Sequence, residues 1–263
     1  MTRVSVNGLM TAYVESGDGE PLILIHGGQS DRRQFDVFRP LLGEGIRAIA
    51  YDQRDAPDQP YEGGPYSIRD HAEDCAAFLT AIGLEKAHLM GTSYGGTVAM
   101  MTAILFPDRV QSLILSSTTP SWDMTEPVVA DTTSERDPAA IERFMLEKLI
   151  TPEAIDQDPV LVSETKAAIR ARPAEAIARR MAAVLTHDCR DDLRLIQSPT
   201  LVLHGEDDPL ISARTAAWTA EHIDGAELRV LPDSRHGLTL QHRARTAEIV
   251  RSFVLKASPG KQG

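Results

Sequence analysis

Residues 89–97 read Leu-Met-Gly-Thr-Ser-Tyr-Gly-Gly-Thr and hold a G-x-S-x-G pattern that occurs once in the chain. A mostly apolar run, residues 87–90, precedes the pattern, and small apolar residues follow it over residues 97–106. A strand, a sharp turn and a helix form the context in which this pattern exposes a serine. Glycines two positions before and after Ser93 leave room for a strained backbone there. Because the pattern arises by chance in roughly one chain of this length in ten, other parts of the sequence must support it.

Composition and charge narrow the class of protein. The chain has 263 residues, of which 42% are hydrophobic, which suits one domain or a domain with an insertion. A formal net charge of −11 argues against nucleic acid and membrane partners and leaves a small-molecule partner. Cys75 and Cys189 give no disulfide framework and no metal spacing, so we expect no metal. The start of the chain lacks an apolar signal segment, which predicts a soluble, cytoplasmic protein of undetermined oligomeric state.

Strand-like and helix-like patterns alternate through the first 120 residues. After a hairpin signal at Asn7-Gly8, continuous apolar runs occur at residues 21–25, 47–51, 87–90 and 113–115, with helical spacing at residues 33–42 and 67–82. The alternation resumes after residue 197, with strands at residues 200–203 and 228–231 and helices at residues 213–223 and 240–255. This order predicts an α/β fold with a mostly parallel central sheet and helices on both faces.

The alternation stops between residues 121 and 197. Proline follows a capping residue at three helix starts in this region, Asp137-Pro138, Thr151-Pro152 and Asp158-Pro159. A further helix over residues 174–185 carries apolar residues on one side, Ile177, Met181, Val184 and Leu185. The sequence therefore predicts a core of residues 1–120 and 197–255, an inserted helical cap or lid of residues 121–196, and a flexible tail of residues 256–263.

Candidate functional residues follow the predicted strands. The carboxyl ends of parallel strands lie at one edge of a sheet, so loops that directly follow strands converge there. His26-Gly27-Gly28 follows the first parallel strand, and its glycines allow a substrate oxygen to approach the backbone. The backbone N–H groups of Gly28 and Tyr94 are thus candidates for an oxyanion hole, with an ordinary glycine turn as the alternative.

An acid and a histidine occur in two further loops. Glu206, Asp207 and Asp208 follow the strand that ends at His204, and one of them is a candidate to orient a histidine, while the others belong to an exposed acidic turn. Eight histidines compete for the role of base, but only His236 lies in a glycine-containing loop after the last strand. The chain order serine, acid, histidine favours His236 over a simple surface position.

With these motifs the chain resembles α/β-hydrolase-fold serine hydrolases of the capped esterase and lactonase branch. The matching segments extend over nearly the whole chain: residues 26–28, 52–54, 91–96 and 199–208, and His236. The resemblance implies a catalytic triad of Ser93, His236 and Asp208, because the family places its acid three residues after the strand-end glycine. That spacing selects Asp208 over Asp207. The serine excludes relatives such as haloalkane dehalogenases and epoxide hydrolases, which have aspartate at this turn.

One loop departs from the family pattern. Where the family has D-x-R-G-x-G-x-S, this chain reads Asp-Gln-Arg-Asp-Ala-Pro-Asp over residues 52–58. Asp55 replaces a glycine and Pro57 stiffens the second half of the loop, so the resemblance does not extend to the path of this loop. Some esterases that act on polyketides or similar natural products resemble this version.

Taken together, the sequence predicts a cofactor-independent hydrolase of a carboxylic ester or lactone of small to medium size, acting through an acyl-enzyme. Hydrolysis of a carbon–carbon or amide bond by the same triad is an alternative, as is a ligand receptor of this fold with little turnover. Apolar residues of the insertion are predicted to line the substrate pocket, although such residues more often form the core of a cap: Trp122, Met124, Phe144, Met145 and Met181.

Overall fold

A computed structural model of the chain describes residues 1–59, 61–126 and 138–258. The strands are β1 (Thr2–Val6), β2 (Leu9–Ser16), β3 (Gly19–Ile25), β4 (Gly45–Tyr51), β5 (Ala87–Thr92), β6 (Val110–Ser116), β7 (Thr200–Gly205) and β8 (Glu227–Leu231). They form one sheet in the order β1-β2-β4-β3-β5-β6-β7-β8. The β1–β2 and β2–β4 pairs are antiparallel and all other pairs are parallel, which confirms the predicted α/β fold.

Helices cover both faces of this sheet, and others lie in the segment between β6 and β7. They are α1 (Ile68–Ala81), α2 (Tyr94–Leu105), α3 (Pro138–Leu149), α4 (Pro152–Gln157), α5 (Pro159–Ala168), α6 (Ala174–Leu185), α7 (Ala213–Glu221), α8 (Leu238–Gln241) and α9 (Arg243–Ala257). Two short 3-10 helices, Arg32–Phe35 and Arg39–Leu42, replace the single helix predicted over residues 33–42. The helix predicted over residues 240–255 is divided into α8 and α9.

The core lies on both sides of the sheet, as the continuous apolar run of β3 predicts. Ile23 and Ile25 belong to the cluster that includes Phe78 of α1. Leu22 and Leu24 point to the opposite face and belong to the cluster with α9. Both faces of the central strands are therefore buried. The loops that carry polar residues lie at the carboxyl edge of the sheet.

The predicted tail begins too early. Lys256 and Ala257 belong to α9, because Phe253 and Val254 anchor that helix in the core and Lys256 pairs with Glu227 at 3.0 Å. Residues 259–263 lie outside the described part of the chain.

Between β6 and β7 the chain forms α3 to α6. Helix α4 begins after Thr151, whose hydroxyl accepts a hydrogen bond from the N–H of Ala154. Asp158 caps α5 in the same way through the N–H of Leu161. Asp137, the third predicted cap, lies outside the described residues, although α3 begins at Pro138 as predicted. Within the described residues, no helix has the length and apolar character needed to cross a membrane.

Helix α6 buries a different face from the one that its apolar residues predict. Ile177, Met181 and Leu185 leave between 37% and 55% of their surface exposed, and of the predicted side only Val184 is buried. Arg180 is buried with it and is only 3% exposed. Hydrogen bonds hold this arginine in the interior, because the backbone carbonyls of Gly28 and Arg54 accept them.

Candidate active site

The turn between β5 and α2 holds Ser93 in a strained conformation, with φ 53° and ψ −121°. A side chain at Gly91 would bring its Cβ within 2.2 Å of the Gly95 carbonyl, and one at Gly95 would lie 2.1 Å from the Ile25 carbonyl. Glycine is therefore required at both places. Thr118 secures the turn by donating from Oγ1 to the Ser93 carbonyl at 2.7 Å. Ser93 itself is half-buried in an otherwise buried turn.

His236 and Asp208 form a buried pair at the same edge of the sheet. His236 Nδ1 lies 2.7 Å from Asp208 Oδ2, and each residue is at most 6% exposed. Asp208 Oδ1 accepts backbone N–H groups of Leu210 and Ile211 at 2.9 and 3.1 Å. Burial raises the pKa of Asp208, but the neighbouring His236 and these hydrogen bonds outweigh it, so the pKa is lowered overall. The ionised carboxylate accepts the Nδ1 proton and leaves Nε2 free to act as a base.

The other acids of this loop do not reach the histidine. Glu206 and Asp207 are exposed, whereas Asp208 is buried. His204 stabilises this loop, because its Nε2 donates to the Ile211 carbonyl at 2.8 Å. Ser93 Oγ and His236 Nε2 are not hydrogen-bonded to each other in this structure. In ligand-free sites such contacts are often long and tighten when substrate binds.

Gly28 and Tyr94 lie side by side next to the serine. A Cβ built on Gly28 would be 3.6 Å from the Cβ of Tyr94, and one built on Gly27 would be 3.8 Å from the Cβ of Ser93. Gln34 holds this loop by accepting the Gly27 N–H at 2.9 Å. Within the described residues, neither the Gly28 N–H nor the Tyr94 N–H donates to a protein acceptor. Both groups are thus available to an oxygen bound beside Ser93.

The departure at Asp55 has a structural explanation. Its φ of 58° places it in the left-handed region, where a glycine is favoured and aspartate is tolerated. The buried carboxylate accepts two hydrogen bonds from Arg179 at 2.7 and 2.9 Å and one from the Tyr66 hydroxyl at 2.7 Å. Its backbone carbonyl accepts Arg172 Nε at 2.8 Å. Asp55 thereby keeps the turn that glycine makes and ties this core loop to α6 and to the segment before it.

The residues predicted to line a pocket are spread over the insertion. Trp122 and Met181 are exposed, at 38% and 37%. Met124, Phe144 and Met145 are half-buried. Lining of the substrate pocket by these five residues stays a prediction.

Arg180 is the polar residue that sequence reasoning missed. Its Nε donates to the Gly28 carbonyl at 3.2 Å, and its guanidinium carbon lies 4.1 Å from the centre of the Tyr94 ring. No sequence pattern links positions 28, 94 and 180. Among the described residues, no group of three or more His, Cys, Asp or Glu side chains is arranged to hold a metal ion.

Comparison with known proteins places the chain among hydrolases. Residues 22–249 match the model of the alpha/beta hydrolase family. The chain is 30% identical to a 2-hydroxymuconate semialdehyde hydrolase of Pseudomonas sp. (strain CF600), over 95% of this chain and 92% of that protein. It is also 30% identical to a pimeloyl-[acyl-carrier protein] methyl ester esterase of Nitrosospira multiformis, over 87% and 92% respectively. The enol-lactonase of Burkholderia xenovorans LB400 has a similar fold, with a TM-score of 0.85 at 21% identity, covering 97% of this chain and 100% of that one.

Proposed function

Because this chain belongs to the alpha/beta hydrolase family, we propose that it hydrolyses a carboxylic ester or lactone of small to medium size through an acyl-enzyme. Ser93 is the nucleophile, His236 the base and Asp208 the acid that orients it. The hydrogen bond between His236 Nδ1 and Asp208 Oδ2 carries the proposal, because it fixes the tautomer that leaves Nε2 able to accept a proton.

In the first half of the reaction, His236 Nε2 takes the proton of Ser93 as Oγ attacks the carbonyl carbon. The carbonyl oxygen becomes negatively charged and accepts the N–H groups of Gly28 and Tyr94. The tetrahedral intermediate collapses, His236 returns the proton to the leaving alkoxide, and the acyl group stays on Ser93. One such N–H donor contributes about 10²–10³ in rate in a serine protease.

In the second half, His236 takes a proton from water, and the hydroxyl oxygen attacks the acyl carbon. The Ser93–acyl bond breaks, and His236 returns the proton to Ser93 Oγ, which leaves a carboxylic acid and the free enzyme. No cofactor takes part in any step. The same sequence of steps opens a lactone, with the difference that the alcohol and the acid remain in one product.

The proposal assigns the insertion, residues 121–196, the role of a lid over Ser93. The ties of Asp55 to Arg179 and Arg172 support this, since they hold α6 and the segment before it against a loop at the carboxyl edge of the sheet. Apolar side chains of the insertion then limit the size of the acyl group.

The test is a comparison of substrates and of one variant. Wild type is assayed on p-nitrophenyl acetate, p-nitrophenyl butyrate and γ-butyrolactone, and labelling by a fluorophosphonate probe is compared between wild type and Ser93→Ala. We expect many turnovers per protein on at least one of these substrates, and labelling of wild type alone. A protein that binds these compounds without turnover is a receptor, and the proposal is then wrong.

A second candidate is hydrolysis of a carbon–carbon bond by the same residues. It is favoured by the identity of 30% over 95% of this chain to a 2-hydroxymuconate semialdehyde hydrolase. Assay of 2-hydroxymuconate semialdehyde beside the esters separates the two candidates. A kcat/KM for the semialdehyde above that for every ester would replace ester hydrolysis as the leading function.

A further inference from the structure

Helix α6 buries an arginine together with the apolar residues Ala176, Ala183 and Val184. It leaves Ile177, Met181 and Leu185 exposed by 37% or more and buries Arg180 to 3% exposure. Charged side chains are almost never fully buried unless they are paired. Among the described residues, no carboxylate oxygen lies within 4 Å of the Arg180 guanidinium; backbone carbonyls accept its hydrogen bonds instead. Burial of this charge costs free energy that α6 could avoid by rotating its apolar side inward. A functional role of Arg180 would explain why α6 keeps this orientation.

Arg180 contacts the two residues of the proposed oxyanion hole. Its Nε donates to the Gly28 carbonyl at 3.2 Å, which fixes the peptide that follows the Gly28 N–H. Its guanidinium lies over the Tyr94 ring at 4.1 Å, which is within the range of a cation–π contact. Nη1 donates to the Arg54 carbonyl at 2.9 Å and so joins the neighbouring loop to the same group.

The planar guanidinium suits this arrangement. It presents several donors in fixed directions while one face remains free to stack on an aromatic ring. A lysine ammonium has the charge but neither the fork of donors nor the flat face. Nη2 has no hydrogen-bond partner among the described residues, although it is fully buried. The Arg180 side chain thus contacts Gly28, Arg54 and Tyr94, although burial of its charge and of the unpaired Nη2 costs free energy.

The charge of Arg180 shifts the pKa values of neighbouring buried groups. Burial first, and the charges of Arg180 and Arg172 next, hold the pKa of His26 well below its usual value. Burial and then the charge of Arg180 lower the pKa of Arg172 to about 10. The charge of Arg180 therefore attracts negative charge that develops next to Gly28 and Tyr94.

We propose that Arg180 is the positioning residue of the oxyanion hole: it holds the Gly28 loop and Tyr94 together from the inserted helix α6, so that their N–H groups converge on the oxygen of the tetrahedral intermediate. This inference rests on the ester hydrolysis proposed above. It also means that the insertion completes the reaction centre and does not only cover it, because the hole is in place only while α6 is docked.

The test compares Arg180→Gln, Arg180→Lys and the control Arg179→Gln in the full chain. Arg179 is the adjacent residue of α6; it binds Asp55 and contacts neither Gly28 nor Tyr94 in the structure. Arg179→Gln therefore removes one tie of α6 to the core, while Arg180 keeps α6 docked on Gly28 and Tyr94. For each variant, kcat and KM are measured on p-nitrophenyl acetate. The inhibition constant of a trifluoromethyl ketone is measured as well, because Ser93 converts this compound to a tetrahedral oxyanion.

For Arg180→Gln we expect kcat to fall by about tenfold to a hundredfold, less than the loss of a direct donor costs, with KM within about twofold of wild type. Affinity for the trifluoromethyl ketone should fall by a similar factor. Arg180→Lys should recover only part of both losses, and Arg179→Gln should stay within about twofold of wild type. If Arg180→Gln does not fold, Arg180→Lys and Arg179→Gln carry the same comparison.

Two results would overturn the inference. The first is a folded Arg180→Gln, or Arg180→Lys in its place, with wild-type kcat and wild-type affinity for the ketone. The second is an equal loss of kcat in Arg179→Gln, which would show that only the docking of α6 matters. Failure of the proposed function looks different, because wild type itself would then be inactive on esters or Ser93→Ala would be as active as wild type.

Discussion

Arg179 and Asp55 join the inserted helices to the core: the guanidinium donates to both carboxylate oxygens, at 2.7 and 2.9 Å, across 124 residues of sequence. Asp55 is 3% exposed and lies at φ 58°, a conformation that costs an aspartate more than a glycine. Asp55 therefore strains the backbone at this position, while its side chain holds α6 through Arg179.

Replacing Asp55 by glycine should destabilise the protein even though it relieves this strain. Removal of one partner of a buried ion pair costs about 3–5 kcal/mol. The partial exposure of Arg179 and the relieved backbone reduce this, so we expect a net loss of about 2 kcal/mol in the free energy of unfolding. Urea unfolding of Asp55→Gly and wild type measures it. A variant as stable as wild type would show that the ion pair does not hold the insertion.

Asp208→Asn should cost far more activity than Asp207→Asn. An asparagine at position 208 favours the wrong tautomer of His236, a change that lowers kcat by about 10⁴ in the serine-protease case. Asp207 is exposed, and the carboxylate paired with His236 is that of Asp208, so the Asp207 variant is a matched control of equal charge change. The measurement is kcat/KM on p-nitrophenyl butyrate. Comparable losses in the two variants would contradict the role given to Asp208.

Acid should destabilise the protein partly through His71. Burial first, then the charges of Arg180 and Arg54, holds its pKa well below 6.5, so the folded protein keeps this ring neutral. The unfolded chain binds a proton there below about pH 6.5. The free energy of unfolding is therefore undiminished by this group above pH 6.5 and falls as the pH drops below it, by up to about 1.4 kcal/mol per pH unit.

His71→Phe removes this titration and keeps the edge-on contacts of the ring with Tyr66 and Tyr94. Between pH 6.5 and 5 we expect the free energy of unfolding of the variant to fall less steeply than that of wild type. Urea unfolding at several pH values in this interval gives both slopes. Identical slopes would mean that His71 takes up a proton in the folded protein.

Short-chain esters should be the better substrates if the insertion is a lid. Each methylene that fits the pocket improves kcat/KM by at most about 1–3 kcal/mol, so the optimum should be broad and should end where the pocket ends. Among p-nitrophenyl esters, acetate and butyrate should be turned over and long chains should not. Phe144→Ala, at a half-buried position, should move the limit to longer chains more than Met181→Ala, at an exposed one. Preference for palmitate without a length limit would rule out a closed lid.

Much of the fold can be inferred from local patterns. The apolar runs of β3 and β6, the Asn7-Gly8 turn and the capped prolines at Thr151 and Asp158 each have one favourable local structure, and the structure confirms them. Boundaries were less predictable where packing decides them, as at the end of α9, which residues 253 and 254 anchor in the core.

The candidate site was predictable only where a residue has a characteristic neighbour in sequence. Ser93 lies between two glycines, and the spacing from Gly205 distinguished Asp208 from Asp207. Arg180 had no such signal, because its partners Gly28 and Tyr94 lie far away in the chain and arginine on a helix usually faces solvent. The burial of Arg180 on α6 could not be predicted for the same reason, because the backbone carbonyls that accept its hydrogen bonds are distant in sequence.

The central claim is that Ser93 carries the acyl group, and intact-protein mass spectrometry during turnover of a p-nitrophenyl ester tests it most directly. Wild type mixed with excess substrate should release a burst of one p-nitrophenol per protein and gain the mass of one acyl group, which peptide mapping places on Ser93. Ser93→Ala should show neither, and its melting temperature should be close to that of wild type. An acyl group on another residue, or turnover retained in Ser93→Ala, would contradict the account.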